Sequence, residues 1–192
     1  MDNSSAEQRL RHLRGTHVPI SRNANSLGSW DDMYVEDPGN GKVRIDEPEF
    51  LRQLKEQEDA INSLSAEKLL ERRQAIAEAG STKVLRDLGA QKAARKNYER
   101  KRLQELARKR IVGEKAEEMV AKELKELAAT HKLDIIAGGD PSDISGLGDK
   151  RTNSSIGSQW KGARSQSLED HAKEMKGSGA GSEKMRVKLR KC

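Results

Sequence analysis

The scarcity of large apolar side chains is the feature of this sequence that most limits its fold. Of the 192 residues, 33% are hydrophobic and 35% are charged, and the aromatic residues are two Trp, two Tyr and one Phe. So few large side chains cannot fill a core that spans the whole chain, and we therefore expect ordered structure over only part of it.

Export and redox signals in the sequence are few. The chain lacks an apolar run of about 18 residues, and its N-terminus lacks the apolar stretch of a secretory signal peptide, so we expect neither a membrane span nor Sec export. The single cysteine, Cys192, has no partner for an intramolecular disulfide, which favours a reducing compartment and excludes cysteine-rich zinc sites.

Helical periodicity begins at Asp46 and divides the chain in two. Residues 1–45 show no sustained period of 2 or 3.6 and are predicted to be an irregular leader, and residues 46–192 are predicted to form one helical domain. Asp46 is placed to cap a helix from about Glu47 to Leu64, with Pro48 in its first turn.

Glycines later in the chain are predicted to end or interrupt the remaining helices. Ser65 is a predicted N-cap of a second helix that ends at Gly80, and Gly113 either interrupts one long helix or separates two. A further apolar stripe predicts a helix through Ile136 that stops at Gly138. After it we expect a Gly/Asp-rich loop over residues 138–158, a last helix that ends near Met175, and a short C-terminal strand. The predicted fold class is all-α.

His131 and Asp134 form the local pattern that most suggests chemistry. Positions three apart on a helix lie on one side, so both side chains can reach a common point. A histidine can activate water near neutral pH, and a carboxylate can orient the imidazole or hold a divalent metal against a phosphate. The same spacing also occurs in helix-end ion pairs, so these four residues alone leave both interpretations open.

Three aspartates follow the His131–Asp134 motif in the glycine-rich segment. Asp140, Asp143 and Asp149 carry oxygen ligands of the kind that magnesium prefers, and Asp140 is a candidate metal ligand together with Asp134. Asp-Pro and Gly-Asp dipeptides also form turns, which is the simpler interpretation for any one of these residues.

A basic segment lies in the middle of the chain. Between Lys83 and Arg110 there are 11 basic and 3 acidic residues, a local excess that attracts polyanions, nucleic acid first. A solvated helical face and a phosphate-binding face both fit this pattern. The candidate DNA-binding residues are Arg95, Lys96, Arg100, Lys101, Arg102, Arg108 and Lys109.

Three segments together resemble a known family. Residues 49–73 (EFLRQLKEQEDAINSLSAEKLLERR), 131–141 (HKLDIIAGGDP) and 153–172 (NSSIGSQWKGARSQSLEDHA) are similar, in that order, to the novel toxin 15 family of bacterial polymorphic toxins, which includes DNase effectors of type VI secretion. His131 and Asp134 match the two positions of the family's HxxD motif. The resemblance spans about residues 46–190.

The resemblance implies a function as well as a fold. It implies a largely α-helical toxin domain that cleaves DNA with Mg²⁺ or another divalent metal, with His131 and Asp134 catalytic. It also implies a cognate immunity protein and a secretion carrier or adaptor as partners, with no membrane partner. Such a toxin is made in the bacterial cytoplasm, leaves without a Sec signal and acts in the cytoplasm of a target cell.

Two other functions fit the residues. A ribonuclease could use His131 to deprotonate a 2′-hydroxyl without a metal, and EDTA would then spare its activity. A non-catalytic nucleic-acid-binding protein or secretion adaptor would use the basic segment alone, and its binding would fall steeply with salt while no substrate is cut.

Overall fold

The computed structural model describes residues 17–19, 34–37, 41–44 and 46–190. Helices dominate these residues, which confirms the predicted mainly helical class. The helices are α1 (Glu47–Ser63), α2 (Ala66–Ala79), α3 (Thr82–Leu85), α4 (Leu88–Arg108), α5 (Glu114–Glu126), α6 (Lys150–Gln159) and α7 (Ala163–Gly177), with a short 3-10 helix at Ile135–Ala137. None of these helices is long and apolar enough to cross a membrane.

Six short strands lie within the described residues and pair two by two. They are β1 (His17–Pro19), β2 (Tyr34–Asp37), β3 (Gly41–Arg44), β4 (Leu127–His131), β5 (Ile144–Asp149) and β6 (Lys188–Arg190). Strand β1 pairs with β6 in parallel, whereas β2–β3 and β4–β5 are antiparallel pairs. The expected C-terminal strand is thus confirmed as β6. Strands β1 to β3 lie within the predicted leader, and its other residues lie outside the described ones.

Local capping chemistry sets the ends of the first helices as the sequence predicts. The Asp46 side chain accepts a hydrogen bond from the backbone of Glu49, and the Ser65 hydroxyl accepts one from Lys68. Gly80 ends α2 with a φ of 66°, a left-handed conformation that favours glycine. Gly113 separates two helices, α4 and α5, which settles the alternative that the pattern left open.

The apolar residues form two cores. The main core joins α1, α2, α6, α7, the 3-10 helix and the C-terminal segment, with Phe50, Ile61, Leu69, Leu168 and Met185 among its fully buried members. A smaller cluster around Leu106, Ala116 and Val120 holds α4 against α5. The α4–α5 hairpin is therefore an arm with its own small core, and it also packs on the β4–β5 hairpin.

The prediction of a helix through Ile136 is wrong after residue 126. Leu127–His131 form strand β4, so the HxxD motif does not lie on a helix: His131 ends a strand and Asp134 caps the 3-10 helix. Two alanines and a threonine in β4 have no strong local preference for a strand. Backbone pairing with β5 therefore decides their conformation, and this pairing is a tertiary effect.

The prediction of a loop over residues 138–158 is also wrong, because this segment contains β5 and most of α6. Two glycines of this segment allow β5 to form. The β4–β5 pairing register shifts next to Gly146, whose φ is 153°. At Gly148 an added Cβ would lie 2.7 Å from both Gln53 Nε2 and Glu49 Oε1, so α1 packs directly on the strand backbone.

A polar stripe on α1, formed by Gln53, Gln57, Glu58 and Asn62, is buried or half-buried and tied to distant segments. Gln57 accepts a hydrogen bond from the Trp160 indole, and Glu58 accepts one of 2.8 Å from the Leu189 backbone. Asn62 donates to the Val187 carbonyl at 2.8 Å and accepts from its N–H at 2.7 Å. Gln57, Glu58 and Asn62 are therefore structural: they attach α6 and the C-terminal segment to α1.

Removal of the Asn62 amide should therefore destabilise the domain. In Asn62→Ala both Val187 backbone groups lose their partner, and we expect a loss of roughly 2–4 kcal/mol in the free energy of unfolding, measured by urea denaturation. Asn97→Ala, which removes an exposed amide from α4, is the matched control and should cost less than about 0.5 kcal/mol. Equal unfolding midpoints for the two variants would contradict the role of Asn62.

Candidate functional site

The segment HKLDIIAGGDP (residues 131–141) folds into a compact turn that holds His131 and Asp134 in place. Leu133 is buried in the main core and anchors the turn between them. The Asp134 carbonyl accepts hydrogen bonds from Ala137 and Gly139 at 2.9 and 3.0 Å. An added Cβ at Gly139 would lie only 1.9 Å from the Leu133 carbonyl oxygen, so this close turn requires glycine.

The His131 ring is oriented by a backbone carbonyl. Its Nε2 lies 3.2 Å from the carbonyl oxygen of Pro141, and because a carbonyl only accepts, Nε2 carries the proton. In the neutral ring the lone pair is then on Nδ1. Burial of the ring lowers the pKa of His131 below the usual 6.5, an effect that the Pro141 hydrogen bond and the Asp134 charge oppose. His131 is thus prepared to be neutral and to accept a proton at Nδ1.

The Asp134 carboxylate is held between a turn and a helix. Its Oδ1 accepts a hydrogen bond of 2.9 Å from the Ile136 backbone, and its Oδ2 faces Gly157 of α6, where an added Cβ would lie 2.9 Å away. Burial raises the pKa of Asp134, although the Ile136 hydrogen bond and the charges of His131, Arg86 and Lys161 act in the opposite direction. Asp134 is therefore a carboxylate whose charge the fold only partly compensates.

His131 and Asp134 thus lie within range of each other's charge, but on a turn and not on the predicted helix. His131 and Asp134 each shift the pKa of the other through their charges, because the turn after β4 folds back on itself. The expected helical i, i+3 geometry is absent from this segment, where a strand end and a helix cap supply the same proximity.

Asp140 has a different set of partners. Its Oδ1 accepts hydrogen bonds from the Ser142 backbone and hydroxyl at 3.0 and 2.8 Å, and its Oδ2 pairs with Arg72 at 3.2 Å. The hydrogen bonds from Ser142 lower the pKa of Asp140 most, and the charge of Arg72 lowers it further. Among the described residues no group of three or more His, Cys, Asp or Glu side chains is placed to hold a metal, so the structure does not bring Asp140 into a ligand cluster with Asp134.

The other two aspartates of this segment also have structural partners. Asp143 pairs with the Lys132 ammonium at 2.8 Å. Asp149 caps α6 by accepting hydrogen bonds of 2.8 Å from both the backbone and the hydroxyl of Thr152. Of the four aspartates in residues 134–149, Asp134 is therefore the one whose surroundings suggest chemistry.

The seven candidate DNA-binding cations lie on α4 or just after its end, but two of them stabilise the arm itself. Arg95 donates to the carbonyls of Leu124 and Leu127, which satisfies backbone groups at the end of α5. Arg102 binds both carboxylate oxygens of Glu123. The remaining five are exposed to solvent: Lys96, Arg100, Lys101, Arg108 and Lys109.

Sequence reasoning missed two cations next to the pair. The charge of Arg86, which follows α3, acts on both His131 and Asp134, and that of Lys161, which follows α6, acts on Asp134. Arg86 is one of the 11 basic residues of the Lys83–Arg110 segment, but nothing local distinguishes it from the others. Lys161 lies four residues after Gly157, inside the segment that carries the family resemblance, and that spacing was the available signal.

Fold and site together define a helical domain in which a histidine and a half-buried carboxylate lie on one tight turn, within range of each other's charge. The sequence model of the novel toxin 15 family matches residues 44–192, which is most of the chain. The protein therefore belongs to the novel toxin 15 family and carries a polymorphic toxin domain. A search of curated proteins finds none that matches this sequence.

Gly157 is expected to set the position of the Asp134 carboxylate. Alanine favours a helix over glycine by about 1 kcal/mol, so Gly177→Ala near the end of α7, where an added Cβ has free space, should stabilise the domain or leave it unchanged. Gly157→Ala should lack this gain, because its Cβ displaces Asp134. It should also change the His131 pKa measured by NMR, and an unaltered His131 pKa would contradict the contact.

Proposed function

We propose that this toxin domain is a metal-dependent deoxyribonuclease that hydrolyses phosphodiester bonds with little regard to sequence. The observation that carries the proposal is the orientation of His131: Nε2 is fixed on the Pro141 carbonyl, which leaves Nδ1 to accept a proton next to Asp134. Family membership supports a toxin activity, and the exposed cations of α4 support a polyanionic substrate.

His131 acts as the general base in this proposal. Nδ1 takes a proton from a water molecule whose oxygen attacks phosphorus, and the bond from phosphorus to the leaving oxygen breaks. The leaving oxygen takes up a proton from solvent, and His131 later returns its proton to solvent. One phosphodiester and one water thus give a phosphomonoester and an alcohol.

Asp134 fits the role of the metal-binding carboxylate. Mg²⁺ in phosphoryl-transfer sites is often held by one or two carboxylates, with substrate oxygens and water completing its shell. The raised pKa of Asp134 reflects a buried carboxylate whose charge a cation would compensate. When bound, Mg²⁺ supplies charge neutralisation at a phosphate oxygen. The proposal assigns no such role to Asp140.

The exposed cations of α4 hold the DNA backbone in this proposal. Phosphate contacts position a nucleic acid without reading its sequence, which is why cleavage is expected to be largely sequence-independent. Arg95 and Arg102 make contacts within the arm, so the more direct phosphate ligands are the other five candidates: Lys96, Arg100, Lys101, Arg108 and Lys109.

Two partners follow from the proposed activity. A nuclease would kill the cell that makes it, so a cognate immunity protein is required, and the basic arm predicts an acidic one. Delivery into the cytoplasm of a target cell without a Sec signal requires a secretion carrier or adaptor. Type VI secretion is the proposed route.

Plasmid cleavage tests the proposal directly. Purified protein is incubated with supercoiled plasmid and, separately, with total RNA, with Mg²⁺ or EDTA, beside the His131→Ala/Asp134→Ala double variant. Mg²⁺-dependent loss of plasmid by the parent alone is expected. Degraded RNA with intact plasmid would assign the domain as a ribonuclease, and cleavage of neither would leave a nucleic-acid-binding adaptor.

Single variants distinguish a catalytic role of His131 and Asp134 from an effect on folding. His131→Ala should lower the cleavage rate by at least about 100-fold, because general-base catalysis contributes about that much. Asp134→Asn should inactivate as well, while its amide oxygen can still accept the Ile136 hydrogen bond. Circular dichroism spectra should match that of the parent. Nicking by His131→Ala at the parental rate would remove His131 from the mechanism.

The pH profile reports the protonation of His131. The base must be neutral, so kcat/KM should fall as the pH decreases through the His131 pKa, and burial places that pKa below 6.5. The acid limb should therefore have its midpoint below 6.5, in agreement with the His131 pKa obtained by NMR titration. A midpoint above 6.5 would contradict a desolvated His131 as the base.

A further inference from the structure

The turn that ends α4 contains a residue in an unusual backbone conformation. Arg110 has a φ of 62°, and among the described residues it is the one with a positive φ that is not a glycine. Gly80 ends α2 with nearly the same φ, 66°. Glycine is the usual residue in this left-handed position after a helix, because it has no Cβ to clash. An arginine there is therefore less favourable for folding than a glycine would be.

Hydrogen bonds define the conformation of this turn. The Arg110 N–H bonds to the Ala107 carbonyl at 2.9 Å, and the Ile111 N–H bonds to the Leu106 carbonyl at 3.0 Å. These are the two bonds of a Schellman motif, which needs a left-handed residue where Arg110 lies. Leu106 is buried, and Ile111 packs against the same small core. Arg110 therefore cannot adopt another backbone conformation without loss of these contacts.

The same turn carries three consecutive cations. Arg108, Lys109 and Arg110, which we call the tip turn, are exposed, and among the described residues none of them has a carboxylate within 4.0 Å. Glu105, the nearest acidic residue before them, pairs with Arg102 at 2.9 Å. Three adjacent like charges repel one another, so neither the charge nor the backbone of the tip turn favours folding.

The tip turn lies at the far end of the arm that α4 and α5 form. Helix α5 runs back from it over 13 residues to Leu127, the first residue of β4. At 1.5 Å per residue, this helix separates the tip turn from β4 by roughly 20 Å. A ligand bound at the tip turn is therefore held well away from the turn that carries His131 and Asp134.

We propose that the tip turn binds the phosphate backbone of DNA, and that Arg110 occupies its strained position because its guanidinium contacts a phosphate. Strained residues in a well-packed structure are characteristic of functional positions. A guanidinium donates to two phosphate oxygens at once, and such contacts position a duplex without reading its sequence. Arg110 is absent from the seven cations that the sequence predicts. The inference rests on the proposed function in taking DNA as the polyanion.

Arg110→Gly tests the inference because it removes the backbone strain and the charge together. Glycine adopts the left-handed conformation freely, so the melting temperature should rise by about 2–4 °C. DNA binding is measured in an Asp134→Asn background with EDTA, by the anisotropy of a fluorescent duplex over a range of salt concentrations. The slope of log Kd against log salt should fall by about one, since one phosphate contact is lost.

Two further variants are the matched controls. Arg110→Lys keeps both the charge and the strained backbone, so it should retain the parental melting temperature and salt slope. Lys176→Gln removes an exposed cation from the last turn of α7, outside the arm, and should also leave both quantities unchanged.

Several results would overturn the inference. A higher melting temperature with the parental slope would leave Arg110 without a binding role, and a lower melting temperature would mean that the arginine itself stabilises the turn. A parent that does not bind the duplex would also overturn it. Weaker binding of poly-L-glutamate by Arg110→Gly, with an unchanged DNA slope, would assign the tip turn to an acidic protein instead.

Cleavage of plasmid by the parent with Mg²⁺ separates this inference from the nuclease proposal. If the slope falls as expected but the parent cuts no DNA, the nuclease proposal fails and the tip turn remains a DNA-binding site. If the parent cuts DNA while Arg110→Gly binds it with the parental slope, the nuclease proposal stands and the tip turn is wrong.

Discussion

The polar stripe along α1 is the constraint on which the rest of the structure depends. A chain with few large apolar side chains cannot hold seven helices together by burial alone. Gln57, Glu58 and Asn62 instead bind Trp160 and the backbone of the C-terminal segment. Each of these bonds is directional, and loss of one partner leaves a buried polar group that costs about 1–3 kcal/mol. The stripe therefore fixes which segments meet α1, and in which register.

The polar stripe on α1 also fixes the position of the Asp134 carboxylate. At one end of α1, Glu49 and Gln53 pack on Gly148, which holds the β5 strand against the helix just before α6 begins. Gln57 then holds Trp160 at the far end of α6. A helix fixed at both ends places Gly157 against the Asp134 carboxylate. A small displacement of α1 would thus reach the carboxylate through α6.

Features set by hydrogen bonds between neighbouring residues can be predicted from the sequence, whereas features set by tertiary contacts cannot. The caps at Asp46, Ser65 and Gly80 follow from hydrogen bonds within a few residues, so the pattern predicts them. The β4 strand and the glycines of β5 depend on a partner strand and on side chains of α1 about 95 residues earlier, where Gln53 lies against Gly148. No window of neighbouring residues contains that information, and so the local pattern predicts a helix followed by a loop.

The same distinction applies to the site. The spacing of His131 and Asp134 suggests a shared helical face, whereas in the structure the two residues lie on a turn that Leu133 and Gly139 hold. Arg86 was invisible because the charge run around it predicts a uniform basic face. Only the fold separates the cations that stabilise the arm, such as Arg95 and Arg102, from those that are free to meet a phosphate.

Strand β4 links the basic arm to His131, and this connection bears on how the proposed nuclease would hold its substrate. Arg95 of α4 binds the carbonyl of Leu127, the first residue of β4, and His131 is the last residue of that strand. Four steps of about 3.3 Å put the two ends of β4 roughly 13 Å apart, about four nucleotide steps of 3.4 Å along a duplex. Because this one strand joins the two, a displacement of the basic arm would reach the proposed general base through β4.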